Sequence, residues 1–207
     1  MTSAAETALA DLKAGNARFV AGERSPEDIA SGSRRAELVA GQAPKAIILG
    51  CSDSRVPAEL VFDQGLGDLF VIRNAGNIVA PSQIGSVEFA VEAFHTPLVV
   101  VMGHTQCGAI KATVEHLLAP ANSRSTHVGS IVQRIRPAVE TLLETSLKAD
   151  PPALMAAAVR ANIRASVSAL RHGSRFLEEE IYAGRLLIVG AEYSLETGAV
   201  EFFSTDQ

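Results

Sequence analysis

Two cysteines and one histidine stand where their chemistry can meet. Cys51 directly follows the apolar run AIILG, and His104 directly follows VVVMG, with Cys107 three residues further on. If both runs are strands of one parallel sheet, ligand-bearing residues gather in the crevice beyond their carboxyl ends. Side chains far apart in sequence then arrive at one point, and His104-x-x-Cys107 grips an ion from a single tight turn. Two thiolates and one imidazole suit zinc, which takes N and S ligands tetrahedrally. Three protein ligands leave the fourth corner to water, the mark of a catalytic site rather than a structural one. An H-x-x-C pair alone is a weak signal, because free cysteines are also ordinary core residues. A Cys51–Cys107 disulfide is a further reading. The joint placement at two strand ends favours the metal.

Asp53 stands two residues after Cys51, within reach of the same ion as a conditional fourth ligand. Arg55 lies two further on, on the same side of an extended segment. It can hold Asp53 away from the metal in a bidentate, charge-assisted pair. The plain alternative is an ordinary loop ion pair. Two thiolates neutralise the charge of zinc, which makes it a weak Lewis acid and predicts activity that rises with pH. Asp53 is then the candidate acceptor for the water proton.

The elements that must position these groups are legible from the hydrophobic pattern. KAIILG (Lys45–Gly50), DLFVIR (Asp68–Arg73), PLVVVMG (Pro97–Gly103) and GRLLIVGAEY (Gly184–Tyr193) are continuous apolar runs. Continuous rather than alternating runs imply strands covered on both faces, as in a parallel sheet between helices. Helical patterns fall at Ser82–Phe94, with Ser82 as cap after Pro81, and at Cys107–Leu118. Two long Ala-rich helices are predicted over roughly Ser130–Leu147 and Pro152–Tyr182. GAVEFF (Gly198–Phe203) follows a turn and predicts an antiparallel edge strand. The fold class is therefore α/β: a central, mostly parallel β-sheet of four parallel strands plus an antiparallel edge strand, flanked by helices. Residues 1–42 read as a peripheral N-terminal helical arm, broken at Gly22–Ser33, and residues 43–207 as the zinc-binding core of one domain.

Composition narrows the class. The 207 residues are 47% hydrophobic and 20% charged, with a formal net charge of −5 and the two signs interleaved. That argues for a soluble globular chain with neither a nucleic-acid groove nor a membrane surface. The N-terminal segment lacks the basic region, apolar core and cleavage site of a secretory signal. The expected compartment is the cytoplasm, where a structural disulfide is disfavoured. His95, His116, His127 and His172 show no ligand spacing, and Glu178–Glu180 reads as a solvated helix face.

CSDSRVP (51–57), GDLFVIRNAGN (67–77) and GHTQCGA (103–109), in that order, resemble the β-class carbonic anhydrases, and the likeness runs from about Gly15 to Gly198. The resemblance implies one zinc ion per subunit on Cys51, His104 and Cys107, and a catalytic dyad of Asp53 and Arg55. It implies that Gln42 hydrogen-bonds bicarbonate, that the Gly108 N–H is a second donor to substrate, and that Phe70 and Phe89 line the substrate cleft. It also implies a homodimer or tetramer with the active site at the dimer interface, and reversible hydration of carbon dioxide to bicarbonate. Bicarbonate-inhibited members carry Trp three residues before the first ligand, where this chain has Ile48. The likeness to that inhibitory pocket is therefore limited to Arg73 and Tyr193. Rival readings are a carbonyl sulfide or carbon disulfide hydrolase on the same fold, or a non-catalytic zinc-bearing module. Retention of Gln42, Asp53 and Arg55 argues against the latter, since a structural site needs only its ligands.

Overall fold

The computed structural model describes residues 3–23, 30–119 and 127–203. Five strands form one sheet: β1 (Ala46–Cys51), β2 (Leu69–Asn74), β3 (Leu98–His104), β4 (Leu187–Tyr193) and β5 (Val200–Phe203). Their spatial order is β2-β1-β3-β4-β5, with β1 to β4 parallel and β5 antiparallel to β4. The predicted fold class is the observed one. β1 and β3 are buried along their whole length, because apolar side chains from both faces enter separate clusters. Ile47, Leu49, Val99 and Val101 lie in one; Ile48, Val100 and Met102 lie in the other.

Eight helices are described: α1 (Ala4–Ala21), α2 (Gly32–Glu37), α3 (Ala58–Val61), α4 (Pro81–Phe94), α5 (Gly108–Leu118), α6 (Val128–Val139), α7 (Pro151–His172) and α8 (Arg175–Tyr182). Three expectations need correction. Ser82 does not cap α4: Ala80 holds the cap position and Pro81, which has no N–H to satisfy, opens the helix. The helix expected over Ser130–Leu147 ends at Val139, and 3₁₀ turns at Glu140–Glu144 and Ser146–Ala149 follow. The helix expected over Pro152–Tyr182 is two, because Gly173 ends α7 and the Ser174 hydroxyl accepts from Leu177 N–H to start α8.

α1 is tied to the core more firmly than a peripheral arm implies. Leu12 is fully buried, and Asn16 donates to the Val61 and Gly198 carbonyls while accepting from Val200 N–H. The predicted break at Gly22–Ser33 falls partly on residues 24–29, outside the described residues. No described helix is long and apolar enough to cross a membrane.

Candidate metal centre

The chain goes from β1 outward to β2 and returns to place β3 on the other side of β1. The point between β1 and β3 is thus where the strand order switches direction, and the crevice opens there. Cys51 is the last residue of β1 and His104 the last of β3, while Cys107 precedes the first turn of α5. All three are buried, and one donor atom from each lies within 4.8 Å of the others. A tetrahedral ion with Zn–S of about 2.3 Å and Zn–N of about 2.0 Å spaces its donors roughly 3.5–3.8 Å apart. The cluster fits zinc.

The protonation pattern fits as well. His104 Nδ1 lies 2.8 Å from the Thr105 carbonyl oxygen, which can only accept, so Nδ1 carries the proton and Nε2 keeps its lone pair. That Nε2 is buried and has no hydrogen-bond partner among the described residues. A bare imidazole lone pair costs free energy in a core unless something electrophilic takes it. The hydrogen bond from the Cys107 thiol pulls the Cys51 thiol down to about 4, helped by the backbone N–H groups of Gly76 and Asp53. Cys107 is pushed up because it donates to Cys51 and is buried, although the Ala109 and Ile110 N–H groups at the start of α5 favour its thiolate. One proton leaves the pair readily, and the second leaves when a cation balances the second charge.

Asp53 and Arg55 form the expected fork. Arg55 Nε donates to Asp53 Oδ1 at 2.9 Å and its terminal nitrogen to Oδ2 at 2.7 Å, while Arg55 N–H also reaches Oδ1 at 3.0 Å. These bonds, the side-chain pair first, hold the Asp53 carboxyl well below the usual carboxylate range. Oδ2 remains 3.8 Å from His104 Nε2, so the carboxylate stands beside the ligand cluster without joining it.

The remaining candidates divide. Gly108 opens α5 and is exposed beside Cys107. Phe70 on β2 and Phe89 on α4 meet at 6.2 Å between ring centres, and Phe94 joins both. Phe89 is exposed at 53%. Gln42 lies in a surface hollow with Arg35, Leu38, Val39, Leu66 and Gly67, and none of the metal-cluster residues lines it. Arg73 serves a backbone role: it donates to the Cys51 carbonyl at 2.9 Å and the Asp53 carbonyl at 2.6 Å. The donor that sequence reasoning missed is the Gly76 N–H, 3.4 Å from Cys51 Sγ. Its only signal is the turn-rich string Asn74-Ala75-Gly76-Asn77 after a strand that ends in register with Cys51.

A family model described as carbonic anhydrase matches residues 46–200. "Carbonic anhydrase 2" of Mycobacterium tuberculosis is 42% identical over 190 residues, covering 90% of this chain and 87% of that protein. The carbonic anhydrase of Mycolicibacterium smegmatis is 40% identical over 195 residues, covering 93% and 90%. A tetrameric β-carbonic anhydrase of Sordaria macrospora matches in fold, with a TM-score of 0.73 at 24% identity over 82% of this chain and 85% of that one.

Proposed function

The chain belongs to the β-class carbonic anhydrase family, and from that premise we propose that it hydrates carbon dioxide reversibly to bicarbonate and a proton on zinc held by Cys51, His104 and Cys107. The observation that carries the reading is the buried cluster of two thiols and one imidazole whose Nε2 has no hydrogen-bond partner among the described residues. When bound, zinc supplies the Lewis acidity that makes water a nucleophile.

The protein's own groups do the rest. Arg55 keeps Asp53 ionised and turned from the cluster, so that Oδ2 accepts a hydrogen bond from the attacking water and orients it. A carboxylate held so far below its usual range is a weak base, so Asp53 passes the proton towards solvent rather than storing it. The Gly108 N–H at the α5 terminus and Gln42 are donors to the oxygen on which charge develops. Phe70 and Phe89 offer an apolar wall suited to an uncharged substrate. Gln42 comes from the second subunit of a homodimer, itself free to pair into a tetramer. We place the protein in the cytoplasm, as one domain of an arm (1–42) and a core (43–207).

Stopped-flow hydration of carbon dioxide by the zinc-loaded protein, followed with a pH indicator, tests the activity. Turnover should rise with pH, vanish on chelation and return with zinc. Zinc-replete protein that leaves the uncatalysed rate unchanged at alkaline pH would sink the reading.

A further inference from the structure

The turn after β2 presents one backbone N–H to Cys51, and a helix that carries no ligand holds that turn in place. Gly76 (φ 76°) and Asn77 (φ 43°) lie in the left-handed region, where Gly76 is at ease and Asn77 is tolerated. A Cβ at Gly76 would also meet Ile135 Cδ1 at 3.0 Å and Ala109 Cβ at 3.1 Å. The Asn74 side chain closes the turn, donating to the Ile78 carbonyl at 2.8 Å and accepting from Ile78 N–H at 2.9 Å.

The carbonyls of the two left-handed residues are claimed from α7. Asn162 Nδ2 donates to the Gly76 carbonyl at 2.8 Å, and Ser166 Oγ donates to the Asn77 carbonyl at 3.0 Å. Asn162 and Ser166 are both buried and sit four residues apart, on one face of the helix. Anchoring these two successive carbonyls fixes the peptide planes that follow Gly76 and, through the two dihedrals of that one residue, restricts the preceding Ala75–Gly76 plane whose N–H points to sulfur.

We propose that Asn162 and Ser166 are positioning residues for the Cys51 thiolate, acting through the Gly76–Asn77 turn. The inference rests on the zinc reading above. An N–H aimed at a thiolate withdraws electron density from it, so the metal receives less and stays a stronger Lewis acid. In a site whose two thiolates already neutralise the cation, that withdrawal offsets part of the lost acidity.

Cobalt-substituted protein tests it, because the thiolate-to-cobalt charge-transfer band reports electron density on sulfur directly. Ser166→Ala, which removes one hydroxyl, should move the band to longer wavelength, and Asn162→Leu should move it further. Both should also surrender metal to a chelator about 10–100-fold more readily, because a turn no longer anchored leaves Cys51 less firmly placed, and that lost placement outweighs the stronger donation of the freed thiolate. Leu154→Ala, a buried change on the same helix more than two turns before Asn162, should lower the melting temperature and leave band and metal retention alone. The proposal fails if Ser166→Ala matches the wild type in both readouts, or if Leu154→Ala moves the band as far. Should Asn162→Leu not fold, Ser166→Ala decides alone. A wild type that binds neither cobalt nor zinc overturns the zinc reading, and this inference with it. A metal-binding wild type with unresponsive variants overturns only the inference.

Discussion

The Asp53–Arg55 fork is the residue-level feature on which the proposed activity turns. Its three donors from Arg55 make Asp53 an anion throughout the working range. The folded carboxyl titrates below its unfolded value, so the pair's stabilisation is present above the unfolded carboxylate range and is lost as pH falls through the lower folded value. Arg55 is half exposed, so solvent screens the pair and that stabilisation is small. Arg55→Ala should therefore melt within a few degrees of the wild type at neutral pH by differential scanning fluorimetry. Activity should respond differently, because a released Asp53 is 3.8 Å from His104 Nε2 and free to take the fourth corner. We expect kcat/KM to fall by about 10²-fold or more, the scale of a misplaced proton-transfer group. A variant within twofold of the wild type in stopped-flow hydration would remove Asp53–Arg55 from the mechanism. These residues were legible in the sequence because an Asp-x-Arg next to a strand-end cysteine has one short geometry. The Gly76 N–H was not, since a backbone donor has no residue type to mark it.

At the scale of elements, the strands were legible and the helix ends were not. Strands covered on both faces show as unbroken apolar runs, and the observed β1 to β4 each fall within a residue or a few of the runs read. Helix ends depend on local competition that periodicity does not see. Apolar spacing continues through Leu142, Leu143 and Leu147, yet the backbone tightens into 3₁₀ turns, and Ser174 starts a new helix inside what reads as one. The docking of α1 was equally hidden, because it rests on a single close approach. A Cβ on Gly15 would stand 1.8 Å from the Phe62 carbonyl oxygen, next to the hydrogen bonds of Asn16. Alanine normally favours a helix over glycine by about 1 kcal/mol. Here Gly15→Ala should instead destabilise by roughly 1–3 kcal/mol, as overpacking does. Urea unfolding would show the sign, and a midpoint raised above the wild type would mean that α1 does not pack here in solution.

For the whole molecule, one chain does not assemble every group that the proposed chemistry asks for. The metal cluster and the Asp53–Arg55 fork belong to one crevice, whereas Gln42 opens into a hollow lined by other residues. Phe89 stays half exposed above Phe70 and Phe94, an apolar cluster that a second subunit would cover at a gain of roughly 25 cal/mol for each Å² removed from water. No reading of a single chain's hydrophobic pattern shows which surface a second copy covers, so this part of the site came from resemblance alone. A two-fold dimer in which each Gln42 serves the other subunit's metal makes a specific prediction. Gln42→Ala and Asp53→Asn homodimers should each be nearly inactive. Unfolded together in equal amounts and refolded, they form mixed dimers in which one site has both its own Asp53 and the partner's Gln42. Random pairing in a two-fold dimer restores roughly a quarter of the wild-type sites. Recovery of that order in stopped-flow hydration, with size-exclusion chromatography and light scattering showing a dimer or larger, would support the shared site. If the mixture stays as inactive as its parents while refolded wild type regains full activity, Gln42 acts within its own chain or not at all.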